Sequence, residues 1–280
     1  MDTSALILGG ALPIAKLEAN REWLLHHGGR DLEIQDPCRV GMLEEDWTPL
    51  LGGLKTNLAG HTARVGVHAP FDGYHIGSYD SFAGEFVAKR FLRTLEFVEA
   101  VSDVLGGSRA PHMVLHSPFL FFGHPLVAHS EATGLRQQIG FVQRTLEPVL
   151  KRAAELNCTL VIENIRDTNP YALLETVKAF NSDHVRMSLD AGHAHLMHQC
   201  GGPHADQWVR QAGAHLGHVH LQDNDGQLDH HWHPGQGDIN WWAVLKELGK
   251  LEHKPRLILE LRDHDVEKSA AWFRAHELAQ

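Results

Sequence analysis

The chain has 280 residues, a formal net charge of −10 and 43% hydrophobic residues, apolar material enough for a sizeable core and too much for a disordered chain. The acidic balance argues against a protein that works by general attraction to a phosphate backbone. The apolar runs are far shorter than the roughly 20 residues that a membrane span requires.

The stretch Met1-Asp2-Thr3-Ser4 has no basic segment ahead of an apolar core, so no signal peptide is expected. Cys38, Cys158 and Cys200 are widely spaced, with no C-x-x-C pair. That fits a reducing cytoplasm and neither a disulfide framework nor a zinc ribbon. The unusual feature is the 23 histidines, because histidine is the commonest metal ligand and titrates near neutral pH.

Eight short apolar runs predict strands at Ala5–Leu8, Asp31–Ile34, Arg64–Val67, Met113–Leu115, Thr159–Ile162, Val185–Leu189, Leu216–Leu221 and Arg256–Leu259. Amphipathic stretches between them predict helices over Ala83–Leu105, Gln137–Leu156, Pro170–Phe180, Trp241–Leu251 and Val266–Leu278. Strands alternating with helices indicate βαβ units and a parallel sheet, either open or closed. Eight units, and no G-x-G-x-x-G turn after the first run, favour an α/β fold with a single (β/α)8 TIM-barrel domain over residues 1–280. About 250 residues is usual for that fold.

The runs end alike. His68, His116, Glu163, Asp190 and Glu260 each follow an apolar run directly, and His218 and His220 lie within the seventh. In a barrel the C-terminal strand ends meet at one mouth, where active sites form. Carboxylates mixed with imidazoles suit Zn²⁺, Mn²⁺, Co²⁺ or Mg²⁺, and clustered acids without a cation would repel one another. His193, three residues after Asp190, can reach the same centre, whereas His195 reads as a solvated helix residue. Asp229 and His231, two apart on a glycine-punctuated loop, can face a further ion. His218, with the facing of His220 and one layer deeper, reads as an orienting partner. His26, His27, His61, His112, His215 and His253 fall in helices or connections and read as surface.

In this order and on these strands, the segments VIEN, LDAGH, HLQD and LILE resemble the xylose-isomerase-like barrel superfamily of sugar isomerases, epimerases and endonuclease IV repair enzymes. In its epimerase branch, the resemblance implies one metal held by Glu163, Asp190, His220 and Glu260, with His193 touching substrate. The endonuclease IV branch implies up to three ions, adding His68, His116, His193, Asp229 and His231 as ligands. Outside the ligands the chain departs from that branch. It reads Ala191-Gly192-His193-Ala194-His195 after Asp190, has His230 where the repair enzymes carry an arginine, and lacks their early arginine- and glutamine-rich run.

The leading expectation is therefore a cytoplasmic, metal-dependent isomerase or epimerase of a small sugar or sugar phosphate, acting in carbohydrate metabolism through an enediolate. Glu163 and Glu260 would move the carbon-bound proton and His193 would bind a substrate oxygen. Arg166 and Arg262 would meet the substrate's outer groups. A lyase is a close variant. The alternative is a zinc phosphodiesterase acting at abasic DNA; nucleic acid is otherwise not an expected partner, nor is a membrane. Related epimerases often pair, so the resemblance points to a homodimer.

Overall fold

The computed structural model describes residues 6–119 and 132–280. Eight strands, β1 (Leu8–Leu12), β2 (Leu32–Ile34), β3 (Val65–His68), β4 (His112–His116), β5 (Thr159–Glu163), β6 (Val185–Asp190), β7 (Leu216–Leu221) and β8 (Arg256–Leu259), follow one another around a closed barrel. Neighbours are parallel throughout, and β8 pairs with β1 to complete the ring. The expected (β/α)8 barrel is thus the observed fold. No helix among the described residues is long and apolar enough to cross a membrane.

The strands are buried on both sides because helices cover the outside, which explains their near-continuous apolar character. The helices are α1 (Arg21–Leu25), α2 (Thr48–Asn57), α3 (Ser81–Val104), α4 (Ala132–Glu155), α5 (Pro170–Ala179), α6 (Ala191–His198), α7 (Ala205–Ala212), α8 (Trp241–Gly249) and α9 (Val266–Ala275). Their starts are chemically marked. Asp80, Asn169, Asp190, Asn240 and Asp265 accept hydrogen bonds from first-turn amides of α3, α5, α6, α8 and α9. Each such cap contributes about 1 kcal/mol. Pro170 at the first position of α5 gives up an amide that has no intrahelical partner anyway.

The fold departs from the sequence reading at two points. The first strand runs Leu8–Leu12, later than the expected Ala5–Leu8; Ala5 lies outside the described residues. Gly9 and Gly10 read as a strand end, yet a Cβ on Gly9 would stand 2.2 Å from the Asp31 carbonyl oxygen. That same oxygen accepts the Gly10 amide hydrogen bond at 3.0 Å, so the glycine permits close strand approach. The helices α1, α2 and α7 were not among those expected.

One irregularity positions the site. The β6–β7 register shifts between Met187 and Ser188, so that Met187 faces Leu216 but Ser188 faces His218 and Asp190 faces His220. The shift sets Ser188 Oγ 2.8 Å from His218 Nδ1 and Asp190 beside His220. Gly217 sits at the shift, where a Cβ would press to 2.7 Å from the Arg186 Cβ.

Candidate metal centre

Six strands deliver their last or adjacent residue to the mouth of the barrel. His68, His116, Glu163 and Asp190 end β3, β4, β5 and β6; His220 is the penultimate residue of β7 and Glu260 follows β8. Register pairs His116 with Glu163 and Asp190 with His220. His220 Nδ1 lies 3.3 Å from Glu163 Oε1, 3.4 Å from Glu260 Oε2 and 3.9 Å from Asp190 Oδ2. On the other side, Glu163 Oε2 lies 3.6 Å from His68 Nε2 and 4.0 Å from His116 Nε2.

The pocket fits a cation for a reason visible in single atoms. Glu163 Oε2, Asp190 Oδ2 and His220 Nδ1 are buried and have no hydrogen-bond partner. Buried polar atoms are almost always satisfied, so three such atoms converging from three strands form a place that could hold an ion. One ligand atom each from Glu163, Asp190, His220 and Glu260 fall within 4.8 Å of one another. Three carboxylates and one imidazole form a hard to borderline donor set that suits divalent ions.

The electrostatics agree. Burial pushes the Asp190 carboxyl up to about 6, and the Glu163 and Glu260 charges add to the rise against His193 and His220. Burial alone would also raise Glu163, but His220, with His193 and His68, holds it well below the usual carboxylate range. Burial lowers His116 to about 3, leaving a neutral imidazole able to ligate.

Three further groups that could hold an ion adjoin this centre: His68 with His116 and Glu163, His193 with Asp229 and His231, and Glu33 with His218 and His220. His193 Nε2 and His231 Nε2 each stand 3.2 Å from Asp229 Oδ2. His231 has a positive φ of 50°, costly for a non-glycine residue, and its Nδ1 lies 3.1 Å from the Glu260 carbonyl oxygen. The loop that carries it is anchored by Asp223, which accepts from Gly235 N, Ile239 N and Trp241 Nε1 and bridges to Trp232.

The xylose isomerase-like TIM barrel profile matches residues 28–276. The chain belongs to that family. Among curated relatives, MJ1311 of Methanocaldococcus jannaschii, itself uncharacterized, is 29% identical over 133 residues, 45% of this chain. The matched part covers 44% of MJ1311, less than half of its length. The 3-dehydro-D-guloside 4-epimerase of Escherichia coli K12 is 25% identical over 215 residues, 71% of this chain and 77% of the relative. Among solved structures, a D-tagatose 3-epimerase-like protein superimposes with a TM-score of 0.73 at 20% identity, covering 97% of both chains.

Within this family member the ligand residues read from the sequence converge, while the orienting residues were largely missed. Asn164 ties β5 to β6, accepting from Asp190 N at 2.8 Å and donating to Asp190 O at 3.1 Å. Gln222 Nε2 donates to Asp190 Oδ1 and Asp229 Oδ1 at 3.2 and 2.9 Å. A Cβ on Gly192 would fall 2.0 Å from that same nitrogen, so the glycine of LDAGH makes room for the amide. Glu33 on β2 and Gln35 just after it were not singled out, yet they touch His220 and Glu260. An acid inside an apolar run whose end carries no ligand gives no sequence signal.

Several histidines need correction. His195 is 9% exposed rather than solvated, since α6 packs against the barrel. His61 and His112 are buried, not surface: His61 Nε2 contacts the Arg30 carbonyl at 2.6 Å, and His112 opens β4 and meets Glu33. His218 is fully buried beneath His220, as the alternation along β7 implied. Arg166 and Arg262 lie exposed in the loops after β5 and β8.

Proposed function

We propose that this protein is an isomerase or epimerase of a small carbonyl-bearing sugar or sugar phosphate, dependent on a divalent ion. The observation that carries this reading is the meeting of Glu163, Asp190, His220 and Glu260 around three unsatisfied buried atoms at the barrel mouth. The name of the Escherichia coli relative adds support. A 3-dehydro sugar carries its carbonyl beside C4, so inversion at C4 can begin by removing the proton α to that carbonyl.

Glu163, Asp190, His220 and Glu260 would hold the ion, which when bound supplies Lewis-acid stabilisation to the oxygens of the enediolate. Glu163 ends β5 and Glu260 follows β8, and each has an oxygen within 3.4 Å of His220 Nδ1. One carboxylate takes the proton from carbon and the other returns it, each within reach of the same substrate carbon. His193 hydrogen-bonds a substrate oxygen, its ring held by the Asn164 carbonyl 3.0 Å from Nδ1. Arg166 and Arg262 meet the outer hydroxyl or phosphate groups from the rim. Burial of the acids excludes water from the proton path and strengthens each charge interaction.

Incubation of the metal-loaded protein with ketoses, keto-glycosides and their phosphates in D₂O tests this reading. Solvent deuterium at a carbon next to the carbonyl is the expected result; its absence from every compound would count against proton transfer.

A second reading has one observation behind it. Three of the four groups together hold the nine residues that the resemblance to endonuclease IV implies as ligands, which supports a phosphodiesterase acting at abasic DNA. Cleavage of an abasic duplex by nanomolar zinc-loaded protein would favour it over the epimerase.

A further inference from the structure

Below the mouth lies a second polar layer that the proposed chemistry does not use. Glu33, on β2, is fully buried and none of its oxygens is free. Its Oε1 stands 3.0 Å from His220 Nε2, and its Oε2 stands 2.9 Å from His112 Nε2 and 3.1 Å from His218 Nε2. His218 Nδ1 in turn lies 2.8 Å from Ser188 Oγ. The space is reserved in the sequence: a Cβ on Gly66 would fall 2.1 Å from His112 Nδ1.

The tautomer of His220 follows from this contact. A carboxylate only accepts hydrogen bonds, so the proton shared with Glu33 belongs to His220 Nε2. When the ring gives up its other proton to bind an ion, the lone pair it presents is at Nδ1. That atom faces the Glu163, Asp190 and Glu260 oxygens, so a cation that takes the place of its proton would meet four donors at once. Two residues further along, just past the end of β2, Gln35 Nε2 donates to Glu260 Oε1 at 3.0 Å. One oxygen of Glu260 is thereby occupied, and Oε2 is the one turned toward His220.

We infer that Glu33 and Gln35 are positioning residues for the metal centre: Glu33 fixes which nitrogen of His220 binds the ion, and Gln35 fixes which oxygen of Glu260 does. Strand β2 supplies no ligand itself but aims the ligands of β7 and β8. The inference rests on the metal reading above. Partners of this kind, behind a ligand, commonly change metal affinity 10–100-fold when removed.

The test compares chelator-stripped wild type, Glu33→Gln and Gln35→Leu, each titrated with Zn²⁺ against a competing chelator, with ions per chain counted by dialysis. Both variants should bind as many ions as wild type, with the tightest site weakened about 10–100-fold. A purely structural role would lower the melting temperature of the stripped chain and leave Zn²⁺ affinity unchanged, which would overturn the inference. Loss of one whole ion in Glu33→Gln would also overturn it, by making Glu33 a ligand.

Nitrogen-15 histidine spectra of zinc-loaded wild type need no variant to fold. They should show His220 protonated at Nε2 and metal-bound at Nδ1; the reverse assignment refutes the role of Glu33. Failure of wild type to bind Zn²⁺ at all would sink the metal reading and this inference together, whereas binding that ignores both variants sinks only this one.

Discussion

Two polar layers cross the interior of this barrel, built from the same kinds of side chain, and they differ in what their carboxylates lack. In the lower layer both Glu33 oxygens are bonded, Oε1 with His220 and Oε2 with His112, and His218 Nε2 stands 3.1 Å from Oε2. In the upper layer Glu163 Oε2 and Asp190 Oδ2 are equally buried and go unbonded. Identical chemistry thus serves two ends. A carboxylate with all partners present is a strut, and crowded carboxylates with atoms to spare are a socket. His220 belongs to both layers, one nitrogen in each, so the strut is coupled to the socket through a single ring.

The comparison can be broken at several points. The largest effect should come from the upper layer: Glu260→Gln keeps the shape but removes the base, and solvent-deuterium exchange should fall about 10²–10⁴-fold. A change within a few-fold would remove Glu260 from the proton path. Removing the ion is next. Restoring Zn²⁺ at about 1,000 times its dissociation constant should stabilise the stripped chain by about 4 kcal/mol, read as a higher melting temperature; no shift would mean no folded-state site.

Sharper still is a contrast of sign in the metal-free chain. Glu33→Gln puts an amide nitrogen against imidazole donors and should cost about 1–3 kcal/mol in urea unfolding. Asp190→Asn relieves like-charge crowding while asparagine still caps α6, so it should leave stability unchanged or raised. Equal losses in both variants would erase the distinction between the layers.

A milder effect concerns pH. Asp167, beside the mouth, accepts from Ser117 Oγ and Ile165 N, and burial pushes its carboxyl up to about 7. Its folded value thus exceeds the unfolded value of about 3.9, so the protonated form is the one the fold favours. That contribution is complete below about pH 4 and disappears as pH rises through 7. Asp167→Asn should therefore remove about 1–3 kcal/mol of the stability lost between pH 5 and pH 8; parallel curves for variant and wild type would refute it. The smallest effect is at the rim, where Arg262→Ala should raise KM about fivefold, near 1 kcal/mol, with kcat unchanged.

The upper layer was legible in the sequence and the lower one was not, for a physical reason. His68, His116, Glu163, Asp190 and Glu260 interrupt apolar runs at their ends, where a barrel gathers its strands, so position alone makes them candidates. Glu33 sits in the middle of a three-residue strand, and His112 is the first residue of β4, at the end away from the mouth. Their meeting depends on barrel closure across β2, β4 and β7, which local pattern does not encode. Gln222 and Gln35 are uncharged and follow strands unobtrusively; only the hydrogen bonds they donate reveal them. The strand boundaries were read closely for β2 through β8 and poorly for β1, where paired glycines looked like a break and are a close contact.

The most direct test is a crystal structure of the zinc-loaded protein with anomalous scattering recorded at the zinc edge. A peak bonded to Glu163, Asp190, Glu260 and Nδ1 of His220, with Nε2 still against Glu33, is the expected result. Saturating zinc that leaves no peak among those four side chains would contradict the account.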